Sequence, residues 1–347
     1  MGLVKLALMV RPFDLRDLAL IRRLGERGVS LHTVSALVEN VHPLRGALIS
    51  MLVGGEFPTF VWKPDNGERG GFLQLRVSNN GPQAFVLYIS PRHQQPPPHG
   101  DYSPLDAAHR HSTDSAVWLA LLDEAVAEIG RRGIHHLIAE TDESGPELPV
   151  LRRAGFAVYT RQDIWRVAAA DYRPQGIAAG KLQRRHADDD WDIQLLYANT
   201  VPRLVQLVEP PPPQGESDNW VLRLGDELAA FVTLRQGPTA GWLRFFIHPD
   251  AESEADEIVA AALEVAFERE PEQVYCCVRR YESWLPNALS RSGFDVCASQ
   301  AVMVRHTVHY LPRTAPEAAV ALDGQRIPVS SPMIRQFRQR DHNGHEP

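Results

Sequence analysis

The sequence contains the same succession of elements twice, and this repeat constrains the fold more than any other feature. Between Thr113 and Val167 the spacing of apolar residues predicts a helix, a short strand, a second short helix and a long strand. The same order returns between Glu254 and His309, and in both copies the second helix ends in Gly-Phe, at Gly155-Phe156 and at Gly293-Phe294. Because a helix that crosses between two strands packs on a sheet, the repeat indicates a duplicated domain built from a sheet and helices.

The length of 347 residues suits two domains of roughly 150 residues each. We predict an N-terminal domain over residues 1–170, a linker over 171–189 and a C-terminal domain over 190–311. Residues 312–347 are predicted to form a partly disordered C-terminal extension, because prolines and polar residues are scattered through them. We expect each domain to have a sheet of its own, so that the two domains stack as separate copies.

Composition and charge exclude several classes of protein. A net charge of −7 argues against a general binder of nucleic acid or of anionic membranes. No stretch approaches the roughly 20 apolar residues of a membrane span, and the first residues predict a strand rather than a signal peptide. Three cysteines make neither a disulfide framework nor a thiolate metal site. We expect a cytoplasmic monomer or homodimer without a metal, with either Cys276 or Cys277 facing outward and Cys297 in the core.

The elements before the repeat extend the pattern. Val10-Arg11-Pro12 precedes a helix that Asp14 can cap, and a second helical stretch follows. Three predicted strands come next, over Thr59–Lys63, Gly71–Val77 and Gln83–Ser90. With the two Gly-Phe pairs, this order resembles the GNAT acetyltransferase fold, once in residues 3–167 and again in 190–309. The resemblance implies an α/β (α+β) fold of two tandem GNAT-like domains, each a mixed, mostly antiparallel sheet flanked by helices.

The resemblance also implies where acetyl-CoA would bind as the acyl donor. In that family the donor lies across two central strands that splay apart, with its pyrophosphate at the start of the main helix, where free N–H groups favour an anion. The strand positions that match are Tyr88, Ile89 and Ser90. The positions that match the loop and the helix start are Arg110, Thr113, Ser115 and Ala116.

Both copies depart from the family's glycine-rich loop. In the first copy, Trp118 stands where a glycine is expected and Asp114 places a negative charge near the pyrophosphate position. In the second copy, the segment Asp250–Glu257 carries five carboxylates, which should repel a pyrophosphate. We therefore expect the second copy to be structural and the first to carry the site.

Candidate catalytic residues follow from the same resemblance. Many family members place a tyrosine on the short second helix as the acid for the leaving thiolate, but Leu151 and Leu289 occupy those positions here. The candidates that remain are Glu140 at a strand end, Tyr88 on a central strand and His248 before a proline. Each also has a structural interpretation: a solvated rim charge, a core residue and a turn residue. The histidines between residues 91 and 112 fit a solvated loop better than a metal site.

Two functions from different classes therefore stay open. The first is an acetyl-CoA-dependent N-acetyltransferase acting on an amine of a small molecule or peptide, with no nucleic-acid or membrane partner. The alternative is a catalytically degenerate GNAT-like binding or scaffold protein. The missing glycines and tyrosines favour the alternative, whereas backbone contacts along the strand do not depend on particular side chains and favour the enzyme. An aminoacyl-tRNA donor is disfavoured by the acidic balance.

Overall fold

The computed structural model describes residues 10–39, 42–53, 55–64, 70–77, 81–92, 104–174, 181–212 and 218–307, with the backbone alone at 51–53 and 104–113. The predicted extension over 312–347 and part of the predicted His-rich loop lie outside these residues.

The first half of the chain has the predicted order of elements with two departures: a short extra strand follows the first helix, and the predicted second helical stretch is divided into two helices. Its helices are α1 (Leu18–Gly25), α2 (Thr33–Leu37), α3 (Pro43–Val53), α4 (Pro104–Arg131) and α5 (Glu147–Arg153). Its strands are β1 (Val10–Pro12), β2 (Val29–Ser30), β3 (Thr59–Trp62), β4 (Gly71–Val77), β5 (Gln83–Ser90), β6 (His136–Asp142) and β7 (Ala157–Ala168). A capping box formed by Asp14 and Asp17 starts the turn that leads into α1.

The second half repeats this order. Its helices are α6 (Asp190–Thr200), α7 (Arg203–Gln206), α8 (Ala255–Phe267) and α9 (Leu285–Arg291). Its strands are β8 (Gln183–Arg184), β9 (Asp218–Leu224), β10 (Glu227–Gln236), β11 (Ala240–Ile247), β12 (Gln273–Arg279) and β13 (Asp295–His306). Gly155 and Gly293 both have positive φ, the left-handed conformation that glycine favours, and so end α5 and α9 in the same way.

The two halves share one sheet, because they exchange their last strands. The strand order is β1-β3-β4-β5-β6-β13-β7-β12-β11-β10-β9-β8, with β2 paired to β5. Strand β13 of the second half therefore lies between β6 and β7 of the first, and β7 pairs with β12 of the second. The expectation of two separate sheets was wrong. The predicted domain limits at 170 and 190 stay a prediction, and the described residues between 10 and 307 belong to one compact unit.

The main helix of the first half begins earlier than predicted. Helix α4 starts at Pro104, inside the stretch for which the sequence predicted a loop up to Ser112. Trp118 lies within this helix, is fully buried, and donates from Nε1 to the carbonyl oxygen of Pro91 at 2.7 Å. Trp118, which stands at a glycine position of the family's loop, is therefore a core residue of the helix.

Both faces of the central strands are covered, and this corrects the cysteine assignments. Helices α4 and α5 cover one face of the first half, and α8 and α9 cover the equivalent face of the second. Cys276 and Cys277 point to opposite faces and both are buried, whereas Cys297 is exposed rather than in the core. No helix among the described residues is long and apolar enough to cross a membrane.

Candidate functional site

Each half contains one pair of parallel strands that separate after a few residues. In the first half, β5 and β6 pair only from Gln83·His136 to Phe85·Ile138. In the second half, β11 and β12 pair only from Ala240·Gln273 to Leu243·Cys276. We call the space between 86–90 and 139–142 the first gap, and the space between 244–247 and 277–279 the second gap. These gaps are the splayed strands that the family resemblance led us to expect.

The first gap is filled by the chain's own backbone. Leu31 donates from its N–H to the carbonyl oxygen of Leu87 at 3.3 Å, and its own carbonyl accepts from the N–H of Glu140 at 2.8 Å. Strand β2 continues this pairing along β5, and Leu31 is 1% exposed. Leu31 thus connects the two separated strands by hydrogen bonds. Main-chain groups of β5 that were expected to contact the pantetheine arm are therefore already hydrogen-bonded within the protein.

Of the three predicted strand residues, two hydrogen-bond to the end of helix α1 and the segment after it, and the third lies in the core. The Tyr88 hydroxyl donates to the carbonyl oxygen of Gly25 and accepts from the N–H of Gly28 at 3.0 Å, and burial raises its pKa. Ser90 donates to a carbonyl at the end of α1 at 3.0 Å, and Ile89 is fully buried. The cofactor role of these three residues stays a prediction. Their contacts in this structure are explained by hydrogen bonding and packing within the protein.

The four predicted pyrophosphate residues lie inside α4 instead of in a loop before it. Arg110, Thr113, Ser115 and Ala116 all follow the first turn of this helix, where backbone N–H groups bond to carbonyls one turn earlier. Ser115 is buried, and Ala116 packs against the core; the side chains of the other two lie outside the described atoms. Because α4 starts earlier than expected, these positions lie within the helix and not at its start, where free N–H groups would favour a pyrophosphate. The cofactor role of the four residues stays a prediction.

The predicted catalytic residues are not brought together. Glu140 lies in the first gap, where its Oε2 accepts from the N–H of Thr33 at 2.6 Å. His248 caps the short 3₁₀ turn after β11 and accepts from the N–H of Asp250 at 3.3 Å. No hydrogen bond between described residues links Glu140, Tyr88 and His248. Within the same residues, no group of three or more His, Cys, Asp or Glu could hold a metal ion.

A buried carboxylate crosses the second gap. Glu209 accepts from Nη2 of Arg244 on β11 at 3.1 Å, from Nη2 of Arg279 on β12, and from the hydroxyl of Tyr159 at 2.5 Å. Burial opposes its charge, but the two guanidinium groups outweigh burial and lower the pKa of Glu209 to about 2. A charged side chain thus occupies the second gap where a backbone segment occupies the first.

Several donors around Glu209 lack a partner. Nε of Arg244, Nε of Arg279 and the hydroxyl of Tyr281 are buried and have no hydrogen-bond partner among the described residues. Beside them, Glu282 accepts from the N–H of Arg279 at 2.8 Å, and burial raises its pKa to about 7. Burial also raises the pKa of Tyr281, so its hydroxyl keeps its proton at neutral pH. These residues and Tyr159 form what we call the second-gap cluster.

Two equivalent glutamines connect the gaps. Gln162 and Gln300 lie at the same distance after Gly-Phe in their copies and face each other across β7 and β13. Gln162 donates to Gln300 Oε1 at 2.8 Å and accepts from Nη1 of Arg279 at 2.7 Å. Gln300 also accepts from the hydroxyl of Thr33 at 2.9 Å. Side-chain hydrogen bonds therefore run from the first gap to the second through the exchanged strands.

Sequence reasoning missed the second-gap cluster, although the repeat carried a signal for it. The tripeptide Leu-Val-Glu occurs at Leu37-Val38-Glu39 and again at Leu207-Val208-Glu209, before the first long strands of each half. Both glutamates bind arginines: Glu39 accepts from Arg76 and Arg235. Extending the comparison of the copies to their N-terminal helices would have singled out Glu209.

Comparisons with known proteins support the fold through structure rather than through sequence. No protein-family model and no curated protein sequence matches this chain. A GCN5-related N-acetyltransferase of Sphaerobacter thermophilus aligns over 86% of this chain and 95% of its own, with 12% identity and a TM-score of 0.48. A tandem GNAT protein of the clavulanic acid biosynthesis pathway aligns over 86% and 98%, with 11% identity and a TM-score of 0.49.

A third solved structure aligns with a TM-score high enough to indicate a shared fold. The GCN5-related glucosamine N-acetyltransferase region of a fungal multi-domain β-N-acetylglucosaminidase aligns over 85% of this chain and 38% of its own. It has 14% identity and a TM-score of 0.51. This alignment and the separated parallel strands in both halves agree with the resemblance seen in the sequence. The chain therefore has the fold of the GNAT acetyltransferases, present twice along its length.

Proposed function

We propose that this chain transfers an acetyl group from acetyl-CoA to an amine, and that the second half carries the reaction. The observation behind this proposal is the second gap: β11 and β12 separate there without a backbone segment between them among the described residues. The Glu209 carboxylate crosses this gap, and buried donors without partners lie beside it. The first gap lacks this feature because Leu31 closes it.

The second-gap cluster offers the groups that acyl transfer requires. Acetyl-CoA supplies a thioester carbonyl, which the amine nitrogen attacks, and a thiolate, which leaves. Glu282, with a pKa near 7, is half ionised at neutral pH and can take the proton from the amine. Tyr281 remains protonated and can donate its proton to the thiolate. The Nε donors of Arg244 and Arg279 can bind the carbonyl oxygen as negative charge develops on it.

The acidic segment after β11 sets a limit on donor affinity. Its five carboxylates stand where the family places the pyrophosphate, and only some have cationic partners: Lys181 pairs with Glu257 and Arg291 with Asp256 at 2.7 Å. The acyl end of the donor therefore fits the second gap better than the pyrophosphate end fits this segment. We expect weak binding of acetyl-CoA that strengthens with added salt, because salt screens the repulsion.

The acceptor class and compartment remain as the sequence suggested. We propose an amine of a small molecule or peptide as the acceptor. We also propose the cytoplasm, since all three cysteines are unpaired.

The experiment measures thiol release from acetyl-CoA with a panel of amines. Glu282→Gln and Tyr281→Phe should each lower kcat by at least about 100-fold. The matched controls Glu227→Gln and Tyr172→Phe change the same side chains outside the cluster and should keep kcat within a few-fold. Loss of activity in Glu140→Gln with full activity in Glu282→Gln would instead move the reaction to the first gap.

A second candidate, a GNAT-fold protein that binds a ligand without catalysis, is favoured by two buried residues. Leu151 and Leu289 are both fully buried at the positions of the family's tyrosine, so neither half offers an acid there. No thiol release with any amine in the panel would favour this candidate.

A further inference from the structure

A cleft of about 310 Å³ lies where the two halves meet, beside the segment that fills the first gap. The first half contributes residues of β2 and α2, including Thr33 and Leu37. The exchanged strands contribute Arg166, Cys297 and Gln300, and β12 contributes Tyr275. We call this space the seam cleft. Its volume is at the lower end of the range for small-molecule sites.

The free polar groups of the seam cleft are donors. Arg166 has no ion pair, Tyr275 has no hydrogen-bond partner for its hydroxyl, and Gln300 has none for its Nε2, when partners are sought in the described part of the chain. Gln300 Oε1 is already used by Thr33 and Gln162. Asp295 faces Arg166 in the β13·β7 register but does not approach within salt-bridge distance. A site with a guanidinium and two further donors favours an anionic ligand.

The other half has an equivalent pair of strand positions that carries apolar side chains in place of the donors. Ile138 pairs with Val304 across β6 and β13 as Tyr275 pairs with Arg166 across β12 and β7. Ile138 and Val304 belong to an apolar cluster into which Val208 packs. The repeat thus provides an internal comparison. Val38 packs against Tyr275 as Val208 packs against Ile138, but only the copy at Tyr275 carries the donor side chains that line the seam cleft.

One substitution between the copies accounts for the open space. Tyr159 and Cys297 lie at the same distance after Gly-Phe, and each is the unpaired residue of a β-bulge. Tyr159 is large and packs against the apolar cluster, whereas Cys297 is small and exposed. Burial raises the pKa of the Cys297 thiol, so it stays neutral and does not repel an anion. A bulge often re-aims a side chain beside a binding site.

We propose that the seam cleft binds a small organic carboxylate. Arg166 takes the carboxylate, with the Tyr275 hydroxyl and Gln300 Nε2 as further donors, and Leu37 and Ala298 contact the apolar body of the ligand. This site is separate from the second-gap cluster, so it stands whether or not the chain transfers acetyl groups.

The test is calorimetric titration of the full-length protein with benzoate and hexanoate, and with benzamide as the uncharged analogue. We expect both carboxylates to bind the wild type and benzamide to bind at least tenfold more weakly. Arg166→Gln should lose carboxylate binding, and Arg152→Gln, an exposed arginine outside the cleft, should keep it. Cys297→Tyr places the residue of the other copy in the cleft and should block binding while the thermal midpoint stays within a few degrees.

Three results would overturn the proposal. They are no binding of either carboxylate to the wild type, equal binding of benzamide, and unchanged binding in both Arg166→Gln and Cys297→Tyr. Acetyl transfer measured on the same variants separates the two proposals, because neither substitution touches the second-gap cluster.

Discussion

At the scale of single residues, Glu209 links the two separated strands of the second gap through ion pairs. It is 8% exposed and forms ion pairs with two arginines from strands that do not pair with each other at this point. A buried ion pair adds little over a well-packed apolar pair, but removing one partner leaves the other charge buried without compensation. The second gap therefore depends on one carboxylate.

Glu209→Gln should lower the free energy of unfolding by about 3–5 kcal/mol at pH 7. The folded-state pKa of about 2 lies below the unfolded value of 4.5, so the contribution is complete above pH 4.5 and is lost as the pH falls from 4.5 toward 2. Urea denaturation at pH 7 and at pH 3 measures both effects. The exposed control Glu252→Gln should change stability by less than about 0.5 kcal/mol. A pH-independent difference between Glu209→Gln and wild type would contradict this account.

Glu282 should show the opposite pH dependence. Burial raises its folded pKa to about 7, above the unfolded value of 4.5, so its contribution is present below pH 4.5 and is lost as the pH rises through 7. Glu282→Gln should therefore be more stable than wild type at pH 8, by roughly 2–3 kcal/mol relative to pH 5. Measured together with thiol release, this variant should gain stability and lose activity. If the Glu282→Gln variant is less stable than wild type at both pH 5 and pH 8, then Glu282 stabilises the fold and does not serve as a base.

At the scale of elements, a glycine allows a close approach of backbone between the halves. Gly237 lies between β10 and β11, and a Cβ added there would lie 1.8 Å from the carbonyl oxygen of Val38, just after α2. Val38 packs against Trp242 and Tyr275 of the second half. The position of α2 over the second half therefore requires a residue without a side chain at 237.

Gly237→Ala should destabilise the protein by at least about 1–3 kcal/mol, because backbone has to move to make room. Gly25→Ala is the matched control, since nothing lies within 4 Å of its added Cβ and it should be neutral or slightly stabilising. Thermal unfolding of the two variants under the same conditions compares them. Equal midpoints would show that α2 does not pack on the second half as described.

Most helices and strands could be predicted from the sequence, but which elements pack against each other could not. Periodicity and turn residues placed β5, β12 and the two Gly-Phe breaks, since these depend on short stretches of chain. The start of α4 was missed because its first turns, Pro104–His111, mix histidine, arginine and aspartate with few large apolar residues and so lack a clear apolar spacing. The closing of the first gap by Leu31 and the clustering around Glu209 depend on contacts between distant segments, which no local pattern specifies.

At the scale of the whole molecule, strand exchange makes each half incomplete without the other. Strand β13 forms ladders with both β6 and β7, so removing it would leave two strands of the first half without a partner. The core clusters at the seam likewise combine residues from both halves. We expect the halves to unfold together, as one cooperative unit.

Leu121→Ala tests this cooperativity from a distance. Leu121 is fully buried in the first half, and its truncation should cost about 2–5 kcal/mol. Cys276 and Cys277, buried in the second half, report unfolding there through their reaction with a thiol reagent in a Cys297→Ser background. Their labelling should accelerate in Leu121→Ala. Unchanged labelling would show that the halves open independently.

The central claim is that the second gap, and not the first, is where an acyl donor binds. Hydrogen–deuterium exchange with and without saturating acetyl-CoA tests it directly, because it reports on both gaps in one sample. We predict added protection in peptides covering 244–254 and 277–285, with no change in those covering 28–33, 86–90 and 139–142. Protection of the first-gap peptides alone, or of neither set, would contradict the claim.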